Sequence, residues 1–129
     1  MKSEPVNSFI KRKNIQFKQE KEEKKSVGMK DIGRKGRFYL LREAWTFLPQ
    51  CNLDQKVFVL ERLRHYKFEG KLAFGNWQKG AVEYRIGYFI VGKIGRAKGR
   101  WIWGQFCPII PQKDLMKLIN KAKKDKVII

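Results

Sequence analysis

The chain has 129 residues, of which 43% are apolar, enough to build one compact hydrophobic core. Thirty Lys and Arg against twelve Asp and Glu give a formal net charge of +18. So basic a chain repels itself unless an anionic partner is near, and nucleic acid is the expected partner. The chain shows no spanning-length apolar run and no secretory signal, so we predict a cytoplasmic protein with no membrane partner.

The residues that could take part in catalysis or metal binding are few, so we predict that the protein is not an enzyme. Cys51 and Cys107 form no CxxC pair and lie far from the single histidine, His65, so we expect free thiols and no metal site. The sequence also lacks a phosphate-binding loop and a dinucleotide-binding fingerprint, and no cofactor is expected. The best enzymatic case is a nuclease using Glu83 and Arg85 on one strand, and it lacks a second acid.

Residues 1–36 are predicted to form a flexible basic arm. They are rich in Lys and Arg, and their few apolar residues show little periodicity. Residues 16–25 can form a transient charged helix, but Gly28, Gly33 and Gly36 interrupt the segment after it. The arm is expected to become ordered on a partner, or to serve only as a solubilising tail.

Two helices are predicted next, in a domain that covers residues 37–129. In residues 37–49, Phe38, Leu41 and Trp45 fall at helical spacing, although alternating apolar positions there also suit a strand. Residues 54–70 are predicted as a second helix, with a cap at Asn52 or Asp54 and a stop at Gly70. The pair resembles a helix–turn–helix in outline, and residues 72–74 are expected to add a short third strand.

The stretch from Val82 to Ile110 is predicted to form a long antiparallel β-hairpin, because two β-rich runs flank a glycine-rich basic segment. If the turn is centred on Arg96, Phe89 lies opposite Trp103, and Val91 lies opposite Trp101. The face that carries these aromatic residues can bind bases only if it stays open, which the sequence does not decide. A shift of one residue would exchange the two faces, and the Trp pair could instead pack under helices or the N-terminal segment.

The hairpin and the arm supply the residues predicted to bind nucleic acid, because cations hold phosphates and bases stack on aromatic rings. On the hairpin tip these are Lys93, Arg96, Lys98 and Arg100; on the aromatic face, Arg85, Phe89, Trp101 and Trp103; on the arm or directly after it, Lys11, Arg12, Lys13, Arg34, Lys35 and Arg37. The hairpin could bind a single strand by stacking or lie along a duplex as a wing, and the sequence does not separate DNA from RNA.

The last predicted element is a helix over residues 112–126 with lysines along one side, which offers a second surface for phosphates. The expected fold is therefore α+β and winged-helix-like in outline: two helices, a long hairpin and a C-terminal helix. The expected function is non-catalytic binding of DNA or RNA through the tip and the arm. The alternative is a small structural subunit that docks on a larger protein or nucleoprotein assembly through the aromatic hairpin face.

Overall fold

Five antiparallel strands form one curled sheet, a half-barrel whose spatial order follows the chain from β1 to β5. The computed structural model describes residues 3–31, 33–73 and 75–129. The elements are α1 (Val6–Glu22), β1 (Ser26–Lys30), β2 (Gly36–Pro49), β3 (Lys56–Gly70), β4 (Val82–Val91), a 3₁₀ turn (Gly95–Ala97), β5 (Trp101–Trp103) and α2 (Gln112–Lys124).

The two helices pack on opposite faces of the sheet, so the molecule has three layers. On one face Phe9 and Phe17 of α1 meet a cluster of strand residues, which are Phe47, Val57, Val59 and Phe89. On the other face Leu118 and Ala122 of α2 meet Phe58, Leu60 and Tyr88. Because both faces are covered, the middle of β3 is buried on both sides.

The prediction of two helices over residues 37–49 and 54–70 was wrong, since these segments are strands β2 and β3. The physical reason is that helices cover both faces of the sheet, α1 on one side and α2 on the other. Residues 57–61 are all buried, so β3 reads as a continuous apolar run rather than as the alternation that identifies a half-exposed strand. Without that helix pair, the winged-helix outline is also wrong.

The segment predicted to be a flexible arm, residues 1–36, instead contains helix α1 and strand β1. Phe9 and Phe17 of α1 are 0% and 3% exposed, so the burial of two aromatic rings holds the helix on the sheet. The apolar stripe was hard to recognise because Lys13 stands in the middle of it. Its charge interrupts a pattern that Val6, Phe9 and Phe17 otherwise make helical.

The hairpin pairing has the predicted register but is short. Phe89 lies opposite Trp103, Ile90 opposite Ile102, and Val91 opposite Trp101, but in the described residues β5 does not pair with β4 between Val82 and Tyr88. The predicted third strand at residues 72–74 is absent at Leu72 and Ala73, while Phe74 lies outside the described residues. The terminal helix is present as α2, over Gln112–Lys124.

Candidate nucleic-acid interface

The connection between β4 and β5, residues 92–100, is a hydrogen-bonded turn that we call the basic tip. Gly92 N donates to Arg100 O, and Gly99 N donates to Gly92 O, each at 2.9 Å. Gly95 and Gly99 have φ angles of 61° and 76°, the left-handed region in which glycine carries no steric penalty. The internal hydrogen bonds fix the backbone of the turn and leave its long side chains directed outward.

The cations of the basic tip are exposed and lack carboxylate partners. Arg96, Lys98 and Arg100 are all exposed, and in the described residues none of them lies within 4.0 Å of an acidic oxygen. Lys93 Nζ contacts Gln55 Oε1. A shallow pocket of about 180 Å³ runs beside the tip and includes Ser3, Gln55 and Lys93. Sequence reasoning missed Gln55, which lies nearly forty residues earlier in the chain.

Most acidic side chains are already engaged elsewhere in the protein. Glu43 accepts from Arg64 Nε at 2.7 Å and from Arg62 Nε at 3.1 Å, which holds the pKa of Glu43 below its usual value, chiefly through the hydrogen bond from Arg64. Asp125 accepts from Thr46 Oγ1 at 2.8 Å, and that bond lowers the pKa of Asp125. With these carboxylates occupied, the positive charge of the tip remains uncompensated in the described structure.

Two of the predicted stacking residues are covered by α1. Phe89 is 6% exposed and meets the Phe9 ring edge-on, with centroids 5.2 Å apart. Trp101 stacks face to face on Phe9 at 4.5 Å, and its Nε1 donates to the Glu4 carbonyl at 2.8 Å. Helix α1 therefore covers this face of the hairpin at Phe89 and Trp101, so Phe89 is buried and one face of the Trp101 ring is occupied by Phe9.

Trp103 and Arg85 lie beside a buried carboxylate. Arg85 Nε and Nη2 donate to the two oxygens of Glu61, at 3.2 Å and 3.1 Å, and the guanidinium lies 4.8 Å from the Trp103 ring centroid. Glu61 is 0% exposed and also accepts from Arg42 Nε at 2.8 Å. Arg85 therefore neutralises the buried charge of Glu61. Of the three predicted stacking rings, only Trp103 is exposed, at 37%.

The network around Glu61 was not found from the sequence. The sequence feature that indicates it is Glu61, a charged residue inside the apolar run VFVLERL of β3. Because β3 is covered on both faces, this carboxylate needs a buried partner. An irregularity in the pairing between Arg42 and Ala44 of β2 lets Arg42 point toward Glu61 on the same face as Trp45. Arg42 also lies 3.7 Å from the Phe17 ring centroid, so the network joins α1 to the sheet.

The predicted arm cations lie in two separate places. On α1, Lys11 is exposed, while Arg12 is paired with Glu4 at 2.9 Å. Lys13 points into the helix–sheet seam, 5.1 Å from the Phe89 ring centroid. Burial is the main cause that lowers the pKa of Lys13, and repulsion by Arg12 and Arg42 adds to it.

The remaining arm cations, Arg34, Lys35 and Arg37, are exposed around the β1–β2 turn. This turn and the basic tip lie at opposite ends of the antiparallel sheet, since β2 begins where β3 ends. The fifteen residues of β3 correspond to roughly 45 Å at about 3.3 Å per residue. The structure therefore does not bring the tip and these arm residues into one contact surface.

A second concave region lies at the arm end of the sheet. A pocket of about 240 Å³ is lined by residues that include Phe38, His65, Trp77 and Glu83. Trp77 Nε1 donates to His65 Nδ1 at 3.0 Å, so the proton of a neutral His65 is on Nε2, which lies 3.4 Å from Glu83.

Cys51 and Cys107 are exposed free thiols outside this pocket.

Comparison with protein-family models, curated proteins and solved structures gives no match to this chain. Of the helices that the structure describes, none combines the length and the apolar character needed to cross a lipid bilayer.

Proposed function

We propose that the protein binds nucleic acid without catalysis, through contacts between phosphates and the basic tip. The observation that carries this proposal is the set of four cations on residues 92–100, exposed on a hydrogen-bonded turn and without a carboxylate partner in the described structure. Such cations gain most from displacing the counterions condensed on a phosphate backbone. The fixed turn also reduces the conformational entropy that binding would cost.

The proposed mode is electrostatic rather than stacking. Phe89 and Trp101 are occupied by α1, and Arg85 is held by Glu61. Contacts to phosphates alone carry no base sequence information, so we expect similar affinities for unrelated sequences. Docking on a protein through the aromatic hairpin face, the alternative function, has little support, because the same helix covers that face.

A fluorescence anisotropy titration tests the proposal, with short single-stranded DNA, duplex DNA and RNA as probes. If the four tip cations each contact one phosphate, the slope of log K against log salt is about −3.6, and affinity falls about 100-fold between about 50 mM and 200 mM salt. The triple variant Arg96→Ala, Lys98→Ala and Arg100→Ala should lose most of the affinity and reduce the slope by about 2.7.

The matched control removes the same charge elsewhere. Lys71, Lys79 and Lys123 are exposed and lie outside the basic tip and the line of lysines predicted to contact phosphates, and their replacement by Ala lowers the net charge equally. We expect the control to weaken binding much less than the tip variant. Equal losses in both variants would show that only net charge matters, and no binding at about 50 mM salt would reject the proposed function.

A further inference from the structure

Strand β4 has an open edge. It pairs with β3 along Val82–Ile90, but β5 covers only its last residues, Phe89–Val91. The final contact on the β5 side is the hydrogen bond from Gly104 N to Tyr88 O, at 2.8 Å. From Val82 to Gly87, β4 is an edge strand in the described part of the chain.

The backbone groups on this open edge can be assigned from the hydrogen bonds at its ends. Val91 N donates to Gln55 O, and Ala81 O accepts from His65 N, so odd-numbered residues bond toward β3. Even-numbered residues therefore direct N–H and C=O away from the sheet. Among the described residues, no strand pairs with these groups of Val82, Tyr84 and Ile86, and such a row is a template for another strand.

Two large apolar side chains of the open edge are exposed. Tyr84 and Ile86, on the α2 side of β4, are 42% and 37% exposed. Large apolar side chains grouped on a surface usually mark an interaction site. Here they accompany unpaired backbone groups, so the site fits an added strand.

We propose that this edge pairs with the same edge of a second copy of the chain, about a two-fold axis at Tyr84. With Tyr84 opposite its counterpart, every outward backbone group of Val82, Tyr84 and Ile86 gains a partner. Val82 then lies opposite Ile86, which pairs two apolar side chains. A two-fold interface requires such a self-complementary surface.

The same register also pairs opposite charges. Glu83 lies opposite Arg85 of the second copy, and Arg85 lies opposite its Glu83. The Glu83 side chain is 68% exposed, and the Nη1 group of Arg85 has no partner in the described residues, since Nε and Nη2 serve Glu61. Opposite charges directly across an antiparallel pair stabilise it. This charge complementarity is the reason to assign the edge to a second copy.

The net charge of +18 opposes association of two copies at long range, and salt screens that repulsion. The Debye length falls from about 10 Å at 0.1 M to about 3 Å at 1 M ionic strength. The dimer should therefore become tighter at high salt. Binding of nucleic acid at the basic tip should respond in the opposite direction, so the two interactions can be separated.

Light scattering after size exclusion and sedimentation velocity test the dimer, using the full chain freed of nucleic acid. We expect a concentration-dependent dimer in the micromolar range, favoured by salt. Glu83→Lys places like charges opposite each other and should raise the dissociation constant at least tenfold. Glu22→Lys makes the same charge change on an exposed position of α1 and should leave the dimer unchanged.

Ile86→Pro provides a second test, because it removes an outward N–H without breaking a bond to β3 and should yield a folded monomer. Amide exchange at Tyr84 and Ile86 should slow as protein concentration rises. A wild-type chain that is monomeric at all concentrations and both salts would overturn the proposal. A dimer insensitive to Glu83→Lys and Ile86→Pro would also overturn it, whether or not nucleic acid binds.

Discussion

Phe9 of α1 lies face to face with Trp101 of β5, with ring centroids 4.5 Å and planes 13° apart. Phe9 is completely buried, and the Trp101 indole is also bonded to the backbone at Glu4. The first helix and the last strand are therefore one packing unit, and the stability of the sheet depends on a helix that composition alone presents as a charged tail.

Phe9→Ala should destabilise the protein by about 3–5 kcal/mol, the usual cost of deleting a buried aromatic ring. Urea unfolding followed by tryptophan fluorescence measures this change. Ile15→Ala is the matched control on the same helix, since Ile15 is 62% exposed and its loss should cost no more than about 0.5 kcal/mol. Equal, small effects would mean that α1 does not hold the sheet.

Glu61→Gln should destabilise the protein by about 3–5 kcal/mol, because it leaves Arg42 and Arg85 without the buried carboxylate that neutralises them. Chemical denaturation gives the free energy of unfolding. Glu22→Gln, an exposed substitution on α1, should change it by less than about 0.5 kcal/mol. A Glu61→Gln protein as stable as the wild type would show that the buried ion pairs are not needed.

Gly104→Ala should be costly because the backbone there touches a buried ring. A Cβ at Gly104 would lie 2.0 Å from Tyr88 Cε2, and Tyr88 is buried in the α2-side core, so we expect a loss of about 1–3 kcal/mol in thermal or urea unfolding. Gly28→Ala is the control, since its Cβ would meet only the end of the exposed Arg37 side chain, at 2.8 Å. Similar melting temperatures for both variants would contradict the close contact.

Glu43→Gln should destabilise the protein by about 0.5–1 kcal/mol at neutral pH, the range of partly exposed ion pairs. Arg64 and Arg62 lower the pKa of Glu43 in the folded protein. Its contribution is therefore complete above the unfolded value, near pH 4.3, and is lost as the pH falls through the lowered folded pKa. The difference between wild type and variant, measured by urea unfolding across pH, should shrink below about pH 4 and not grow.

The sequence predicted short-range features better than the layers of the fold. The turn centred on Arg96 and the register that joins Phe89 to Trp103 follow from glycine placement and alternation within one hairpin. The identity of β2 and β3 did not follow, because their residues are buried by two helices that lie far away in the chain. Local periodicity cannot show that a strand such as Val57–Leu60 is covered on both faces.

Some features of the candidate site could likewise be predicted from the sequence, and others could not. Exposure of Arg96, Lys98 and Arg100 could be expected from charge and glycine content alone. Burial of Phe89 could not, because it depends on α1 crossing the sheet, and a helix with Lys13 in its apolar stripe resembles a soluble tail. The commitment of Arg85 to Glu61 likewise required the pairing of β3 with β4.

The hydrogen bond from Trp101 to Glu4 joins residues 97 positions apart. During synthesis, at about 5–20 residues per second, the first helix must wait roughly 5–20 seconds for the strand that completes its binding surface. Throughout that interval Phe9 lacks its stacking partner, whereas the ring partners of Phe17, Trp45 and Phe47, are made much earlier. The N-terminal half of α1 can therefore complete its packing only after the last strand is made.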